Sequence, residues 1–537
     1  MKTSMQWARW LGLAPLLVVC CDCSTYGLGP PPDGSSTSGI AATASTASVD
    51  PGSTGAVEPG SSGAMTDTGG SSGMGGSAED SGDVCGEVEP VCQRWARGVV
   101  DIEGGQGAES YVAIDASGSV ALAGSFAGTV DLGGGDLTSA SQQDIFIARY
   151  NPGGSLDWHR TFTPVDPGGV AFLHDVAVNP DGAVHIVGRS SYDIDLGGGV
   201  ETVTVPNGSW DFFVAEYGAD GEFLWSAMFG QSASELGRYL ALDSQDNIFV
   251  GGHFSGGSLD LGGGAMASDG DDAFLLKLDS GGGIIWSRQV GGANGQSITG
   301  MAVDSSDAVV LIGQFDSYLK FGGDGLLSNS GPSRPYLLKA DSGGQVIWST
   351  SMYSETNDEG YVSGLAVGVD DSIMIGGLLV GTMNIGGSWP VMAANLSPFV
   401  AKVGTDEVVQ WSHVFELAQP FDGGPSGVRL GVAGDDSLWL AMTMTSPIDL
   451  GGDLLVARGG EDLVLAKYAA GGTHLWSDRF GDAENQRFDD MAVGADGVAF
   501  SGIFKGTLGF LSGNKLQAGG DWPDIFAVKM GDCPVCE

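Results

Sequence analysis

The sequence predicts an all-β protein: a seven-bladed β-propeller of four-stranded antiparallel blades, closed by its N-terminal strand. Three observations lead there. Tryptophans recur at Trp95, Trp158, Trp225, Trp286, Trp348, Trp411 and Trp476, spaced 63, 67, 61, 62, 63 and 65 residues apart. Between successive tryptophans the same three short apolar segments return in the same order. The last unit ends without its tryptophan segment, whereas one tryptophan segment stands alone before the first unit. A fixed period of this size marks a repeat architecture, and four short strands per unit is the arithmetic of a propeller blade.

The first segment, the A strand, reads YVAIDASG (111–118), DVAVNPDG (175–182), YLALDSQD (239–246), GMAVDSSD (300–307), GLAVGVDD (364–371), VRLGVAGD (428–435) and DMAVGADG (490–497). The B strand usually carries a glycine near its end, as in VALAGSF (120–126), IFVGGHF (248–254), VVLIGQF (309–315) and VAFSGIF (498–504). The C strand reads DIFIARY (144–150), DFFVAEY (211–217), DAFLLKL (272–278), YLLKA (336–340), PFVAKV (398–403), DLVLAKY (462–468) and DIFAVKM (524–530). The D strand carries the tryptophan. All are short, rich in Val, Ile, Leu and Phe, and bounded by Gly, Asp or Asn turns, which is the strand signature; none has the ten or so residues a helix needs. Gly in NPGGS, DSGGG and AAGGT permits the positive φ of tight C–D hairpins. The seven tryptophans are expected to pack between neighbouring blades, where so large a ring buries much apolar area.

The ends decide how the ring closes. Trp95 supplies a D strand before the first A strand, and the chain stops seven residues after the last C strand at 524–530. The D strand of the last blade is therefore expected from the N-terminus, leaving no unpaired edge at the seam. Cys85 and Cys92 flank the start of that strand, and Cys533 and Cys536 follow its partner. Disulfides across the seam suit an exported protein. The alternatives are a zinc site ligated by the four thiols and a redox pair in the CxxC of GDCPVCE, which no βαβ context accompanies.

Ahead of the repeats stand two further segments. Residues 1–20 have a basic start (Lys2, Arg9) and a short apolar run, the anatomy of an export signal and too short to span a bilayer. The cysteines ending that run resemble the lipobox of bacterial lipoproteins, which implies lipidation at Cys21, or at Cys20. Residues 21–84 are a Gly/Ser/Thr/Pro-rich tract almost without aromatic residues, unable to bury enough apolar surface to order itself, and read as a tether. Its G-x-S-x-G at 69–73 lacks the strand and helix of a nucleophile elbow. Residues 85–537 form the propeller.

The unit G-x(n)-D-x-F-[VLI]-x-K-x-x-x-x-G-x-x-x-W-S-x-x-F-G-G, best seen at 272–292 and 462–481, resembles the SBBP, or beta-propeller, repeat of exported bacterial proteins. The resemblance covers roughly residues 95–530; it implies the propeller fold and an extracytoplasmic setting, and carries no catalytic residues with it. A weaker similarity is to the tryptophan-docking repeats of quinoprotein dehydrogenases and of an outer-membrane assembly lipoprotein family, whose eight blades and shorter units fit less well.

Composition excludes one class of partner. With 22 basic against 66 acidic residues and a net charge of −44, the chain lacks the Lys/Arg density that displaces counterions from nucleic acid. No Ca²⁺ loop of the D-x-[DN]-x-[DN]-G type occurs, and the DLGGG runs at 131–135, 195–199 and 260–264 precede strands rather than helix N-termini, so they read as B–C turns and not as phosphate loops. The six histidines, His159, His174, His185, His253, His413 and His474, show no metal-ligand spacing; His174–Asp175, on an A strand lining the axis, is the one place to look. The acidic pairs Asp271–Asp272, Asp370–Asp371 and Asp435–Asp436 lie in turns or ahead of strands.

No catalytic residue, metal or cofactor is expected. The long B–C and D–A connections share one face of an antiparallel disc, and that face is the expected binding surface. The chain reads as a monomer, lipid-anchored at the outer membrane or cell surface, acting as a non-catalytic binding module for an envelope protein or polysaccharide and touching membrane through its anchor alone. A propeller glycan hydrolase or lyase, and a quinone-cofactor propeller, are the alternatives.

Overall fold

The computed structural model of the 537-residue chain describes residues 91–99 and 109–533, apart from 202–209, 232–233, 269, 329–332, 353–359, 386–388, 418–426, 512–514 and 521. The export signal, Cys20, Cys21, the tether, Cys85 and Cys536 lie outside the described residues. No helix occurs among the described residues. Six blades run A–B–C–D in chain order, antiparallel throughout: blade 1 at 110–162, blade 2 at 171–229, blade 3 at 234–291, blade 4 at 296–351, blade 5 at 360–414 and blade 6 at 429–480. Blade 7 takes its A, B and C strands from Gln486–Gly494, Gly497–Phe504 and Asp524–Asp532, and its D strand from Val91–Val99. Val91 pairs with Asp532 and Val99 with Ile525. Each A strand neighbours the A strands of the blades on either side, the last beside the first, so seven A strands ring the axis. The seam foreseen from the repeat count is thus a blade shared by the two ends, and Cys92 is joined to Cys533 with Cα atoms 5.1 Å apart.

The core is divided into seven clusters, each built from two adjacent blades. Blades diverge outwards, so a wedge opens between them, and the DLGGG runs fill it. In blade 1 the B–C connection folds back as a hairpin, Thr129–Asp131 with Asp136–Thr138. Its alternate residues Val130 and Leu132 are buried in the cluster that joins blades 7 and 1. Ile194 and Leu196 do the same between blades 1 and 2, and Leu508 and Phe510 between blades 6 and 7. The acid between them folds the tip: Asp131 accepts the Gly133 and Gly135 amides at 2.7 and 3.0 Å. Those amides are satisfied by the loop's own carboxylate, which is why the run is no phosphate cradle. The tyrosine that ends the C strand anchors the hairpin; Tyr150 and Tyr217 donate their hydroxyls to the Leu132 and Leu196 carbonyls at 3.0 and 2.8 Å.

The recurring Trp and Gly are two halves of one contact. Trp158, on the D strand of blade 1, lies against the C–D turn of blade 2, where Gly221 has φ +80° and a Cβ would stand 2.6 Å from the indole. The Trp158 Nε1 donates to the Ala219 carbonyl at 2.8 Å, and Arg160 donates to the Gly221 carbonyl at 2.7 Å. Trp95 meets Gly154, Trp225 meets Gly282, Trp286 meets Gly344 and Trp411 meets Gly472 in the same way. Trp348 and Trp476 lie in the clusters between blades 4 and 5 and between blades 6 and 7.

The B-strand glycine answers an irregularity in the A strand. The A strands of blades 2, 3, 4, 5 and 7 each carry a bulge, at His174, Arg238, Thr299, Ser363 and Asp489. The strand next to the bulge is pressed close: a Cβ on Gly188, Gly252 or Gly313 would sit 2.4, 2.2 or 1.9 Å from an A-strand carbonyl oxygen. Blade 6 has Met442 at the corresponding place, and its A strand pairs without a bulge. A bulge re-aims one side chain, and here it does so in blade after blade beside the axis.

Candidate functional site

Antiparallel order puts the A–B and C–D turns on one face and the B–C and D–A connections on the other. On the short-turn face the acids have structural work. Asp371 accepts the Ser305 amide and hydroxyl of the preceding blade at 2.9 and 2.8 Å, and Asp436 accepts the Val369 amide at 2.9 Å. C-strand cations reach the same turns: Lys277 meets Asp243 at 2.8 Å with both side chains almost fully buried, and Lys402 meets Asp370 at 3.0 Å. Burial raises the Asp243 carboxyl, but Lys277, the Asn247 side chain and turn amides outweigh it and leave the group below its ordinary value. The acid that opens the C strand, on the opposite face, is also committed. Asp144, buried, accepts the Ala140 amide at 2.9 Å and the Thr163 hydroxyl at 2.7 Å, tying the B–C connection to the D strand's exit. Asp272, the second acid of Asp271–Asp272, binds the Gln289 amide group at 2.6 Å. Asp370 and Asp436, from two of the acidic pairs, meet around Lys402 at 3.0 and 3.9 Å.

The bulge residues and the B-strand residues that follow the glycine lie at the long-connection end of the strands nearest the axis. In blade 2 these two positions hold His174 and Arg189; in blade 3 they hold Arg238 and His253. The corresponding positions of the other blades carry Ser, Thr, Gln, Val, Leu, Ile or Asp. Two histidines 79 residues apart in sequence are thereby brought together with two arginines. Burial, then Arg189, Arg238 and His253, hold His174 well below its ordinary pKa. Burial, then Arg238 and Arg189, push His253 down to about 4. The Arg189 guanidinium lies 4.4 Å from the Trp210 ring centroid and 5.1 Å from that of Phe172, and Phe172 stacks with His174 at 6.3 Å.

Blades 7 and 1 place acids at the same level. Tyr111 donates to Glu109 at 2.8 Å, and the Ser110 amide donates to Asp489 at 3.2 Å. Asp175 and Asp490 occupy equivalent places just after the bulge, and each accepts an amide of the next blade's A strand, Leu240 at 2.7 Å and Val112 at 3.0 Å. Burial and then the Asp490 carboxylate hold Asp175 well above the ordinary range. Burial raises Asp489 to about 6, against the pull of Arg487 at 3.2 Å.

That last shift has a measurable consequence. A carboxyl at about 3.9 when unfolded and about 6 when folded binds its proton more tightly in the native state, so its contribution to stability falls as pH rises from 4 through 6. Asp489→Asn is expected to match the parent at pH 4 and exceed it by about 3 kcal/mol at pH 8 in urea unfolding. An unchanged difference across that range would mean that Asp489 ionises as a free acid does.

The remaining histidines stay apart. His185 is buried 3.6 Å from Glu216, His413 meets the Gly472 carbonyl at 2.6 Å, and His474 meets Ser477 at 3.0 Å. No cluster of three or more His, Cys, Asp or Glu able to hold a metal occurs among the described residues. Reading the sequence singled out His174–Asp175 but missed Arg189, Arg238, Asp489 and Asp490. Stacking the repeats would have found them, since HD and RY then share one column, and GR and GH another.

No family model matches the chain. One curated relative, the uncharacterized WD repeat-containing protein L264 of Acanthamoeba polyphaga mimivirus, is 26% identical over 160 residues, covering 26% of this chain and 11% of that protein. The match therefore spans about a tenth of that protein's length. Among solved structures, the chain is similar to a protein of unknown function from Dyadobacter fermentans (11% identity, TM-score 0.38, covering 83% of this chain and 100% of that one). It is similar to a PL25 ulvan lyase (10%, TM-score 0.41, 76% and 93%) and to the β-propeller domain of the trilobed protease of Pyrococcus furiosus (10%, TM-score 0.35, 77% and 96%). At such identities and scores none of them speaks to what this chain binds.

Proposed function

We propose that the protein is an exported, lipid-anchored propeller of the SBBP repeat kind, a non-catalytic module that binds a polysaccharide or an envelope protein at the axial end of its long-connection face. The observation that carries this reading is the contrast between the two faces. On the short-turn face the same Asp, Lys and Gly contacts recur around the ring and serve architecture. On the long-connection face equivalent positions carry unlike polar groups, from His174 and Arg238 to Thr299 and Asp489. A rigid scaffold that varies one face is built as binding proteins are.

The test is a screen of the full chain against glycans and envelope proteins, followed by exchange of B–C hairpins between blades. Binding should be lost on those exchanges and survive Asp371→Asn on the short-turn face; the reverse pattern overturns the reading. Lipid labelling should require Cys21 or Cys20. A glycan hydrolase or lyase is the second reading, favoured by the raised Asp489 carboxyl beside the axis; it requires turnover that Asp489→Asn abolishes.

A further inference from the structure

We infer that the junction of blades 2 and 3, on the short-turn face, binds a primary ammonium group between Glu216 and Asp246, with the His185 ring as its floor. This site stands apart from the long-connection face and does not rest on the reading given for that face.

One column of the C strands is basic in six blades, where it holds Arg149, Lys277, Lys339, Lys402, Lys467 and Lys529. Each of the six meets a carboxylate at 2.5–3.0 Å. Blade 2 has Glu216 in that column, and it has Asn179 where blades 1, 3 and 4 have the turn acids Asp115, Asp243 and Asp304. The one blade without an internal cation thus carries an acid at the cation's own position.

The facing turn of blade 3 has lost its donor as well. Asp307, Asp371 and Asp436, with φ of 62°, 59° and 61°, accept amides from the preceding blade's turn, those of Ser244, Ser305 and Val369. Asp246, with φ of 61°, is their counterpart in blade 3, and the blade 2 residue in register with those donors is Pro180. Proline has no N–H to give. Among the described residues no base pairs with Asp246 and no donor reaches its carboxylate. Burial raises the Glu216 carboxyl, the Trp225 indole N–H pulls it down, and the Asp246 carboxylate pushes it up again, leaving it above its ordinary value. A cation between the two acids removes their repulsion and adds charge-assisted hydrogen bonds.

Blade 3 shows the same arrangement with its cation in place. Lys277 Nζ lies 2.8 Å from Asp243, donates to the Ser342 carbonyl at 3.2 Å and stands 4.5 Å from the ring centroid of Phe249, its cross-strand partner. Lys467 Nζ stands 5.2 Å from the ring of its own cross-strand partner, Trp439. In blade 2 the cross-strand partner of Glu216 is again a ring, His185. The Ser280 carbonyl accepts the Trp225 indole N–H at 3.1 Å, as the Ser342 carbonyl accepts that of Trp286. His185 is fully buried, and its Nε2 faces Glu216 Oε1 at 3.6 Å without a hydrogen-bond partner among the described residues. Burial pushes His185 down to about 4, so the ring carries no charge at neutral pH that would oppose a cation. Acid, carbonyl and ring recur in blade 2 without the lysine that joins them in blade 3, and an ammonium brought by a ligand meets the same three groups. The Glu216 side chain is 11% exposed, so the group that reaches it comes at the end of a narrow stem, as in a lysyl side chain or a free diamine.

The experiment measures equilibrium binding of the full chain to three probes: a capped peptide with one central lysine, the same peptide acetylated at the lysine nitrogen, and putrescine. Salt is held at about 0.15 M, where screening suppresses the general pull of a protein of net charge −44 on any cation. The lysyl peptide or putrescine should bind at least about tenfold more tightly than the acetylated peptide, and which of the two binds better separates a peptide from a free amine as the source. Glu216→Lys, which supplies the ammonium from within as the other blades do, should abolish that binding. Asp246→Asn should weaken it about tenfold, and Asp371→Asn, in another junction of the same face, should leave it unchanged. Should Glu216→Lys fold poorly, Asp246→Asn, at a half-buried turn position, gives the same readout. No binding of either amine, equal binding of the acetylated peptide, indifference to the Glu216 and Asp246 substitutions, or an equal loss with Asp371→Asn each overturns the site. The reading of the long-connection face falls separately, by its own loop exchanges.

Discussion

A chain shortened to begin at residue 101 is expected not to reach the native fold. The deletion removes Val91–Val99, the D strand of blade 7, and uncovers the C strand Asp524–Asp532, which is buried along all but its last residue. Trp95 and Val99 leave the cluster between blades 7 and 1, and Val91 leaves the one between blades 6 and 7. An apolar strand with an open hydrogen-bonding edge is an aggregation site, so the shortened protein should be recovered as aggregate. A milder version leaves the strand in place and removes the staple. Cys92 and Cys533 are 441 residues apart, and closing so long a loop stabilises by about 6 kcal/mol in the chain-entropy account, of which native disulfides deliver at most about 5. Cys533→Ser should therefore lower stability by about 3–5 kcal/mol in denaturant unfolding followed by tryptophan fluorescence. An unshifted midpoint would mean that the seam is held without the bond.

The second large effect lies away from the seam, at the junction of blades 1 and 2. Trp158→Ala removes an indole that fills the space over Gly221 and donates to Ala219, and should cost about 3 kcal/mol. Gly221→Ala should cost at least about 2 kcal/mol, because the backbone there has φ +80° and the added Cβ would lie 2.6 Å from the same ring. The informative quantity is the double variant. With the ring gone the methyl group has room, so the two losses should fall short of additivity by about 1 kcal/mol or more. Additive losses would show that the recurring Trp and Gly serve separate purposes.

Much of the fold was legible because a propeller writes it seven times. The strands stood out as short Val/Ile/Leu/Phe runs, and the offset of the seven tryptophan segments from the seven C strands, one ahead of the first A strand and none after the last C strand, revealed that Val91–Val99 completes the blade of Asp524–Asp532. Other features were visible but not interpretable. The DLGGG runs announced a turn, yet nothing in their composition says that Val130 and Leu132 swing back into the wedge between blades. The B-strand glycines were conspicuous, but in blades 2, 3, 4, 5 and 7 they face an A-strand bulge, and a one-residue slip inside an apolar run leaves no trace of its own. The basic quartet was harder still. His174 and His253 obey no ligand spacing, and they meet only because a bulge residue and its B-strand neighbour coincide in two adjacent blades.

The closed ring itself is tested most directly by amide hydrogen exchange, resolved by peptide, on the intact chain. If Val91–Val99 completes blade 7, its strand amides exchange as slowly as those of Ile525–Met530 and on the same global unfolding event, and they become labile together when denaturant opens the seam. Exchange of residues 91–99 within seconds, while 525–530 remain protected, would contradict a closure made by the two ends of the chain.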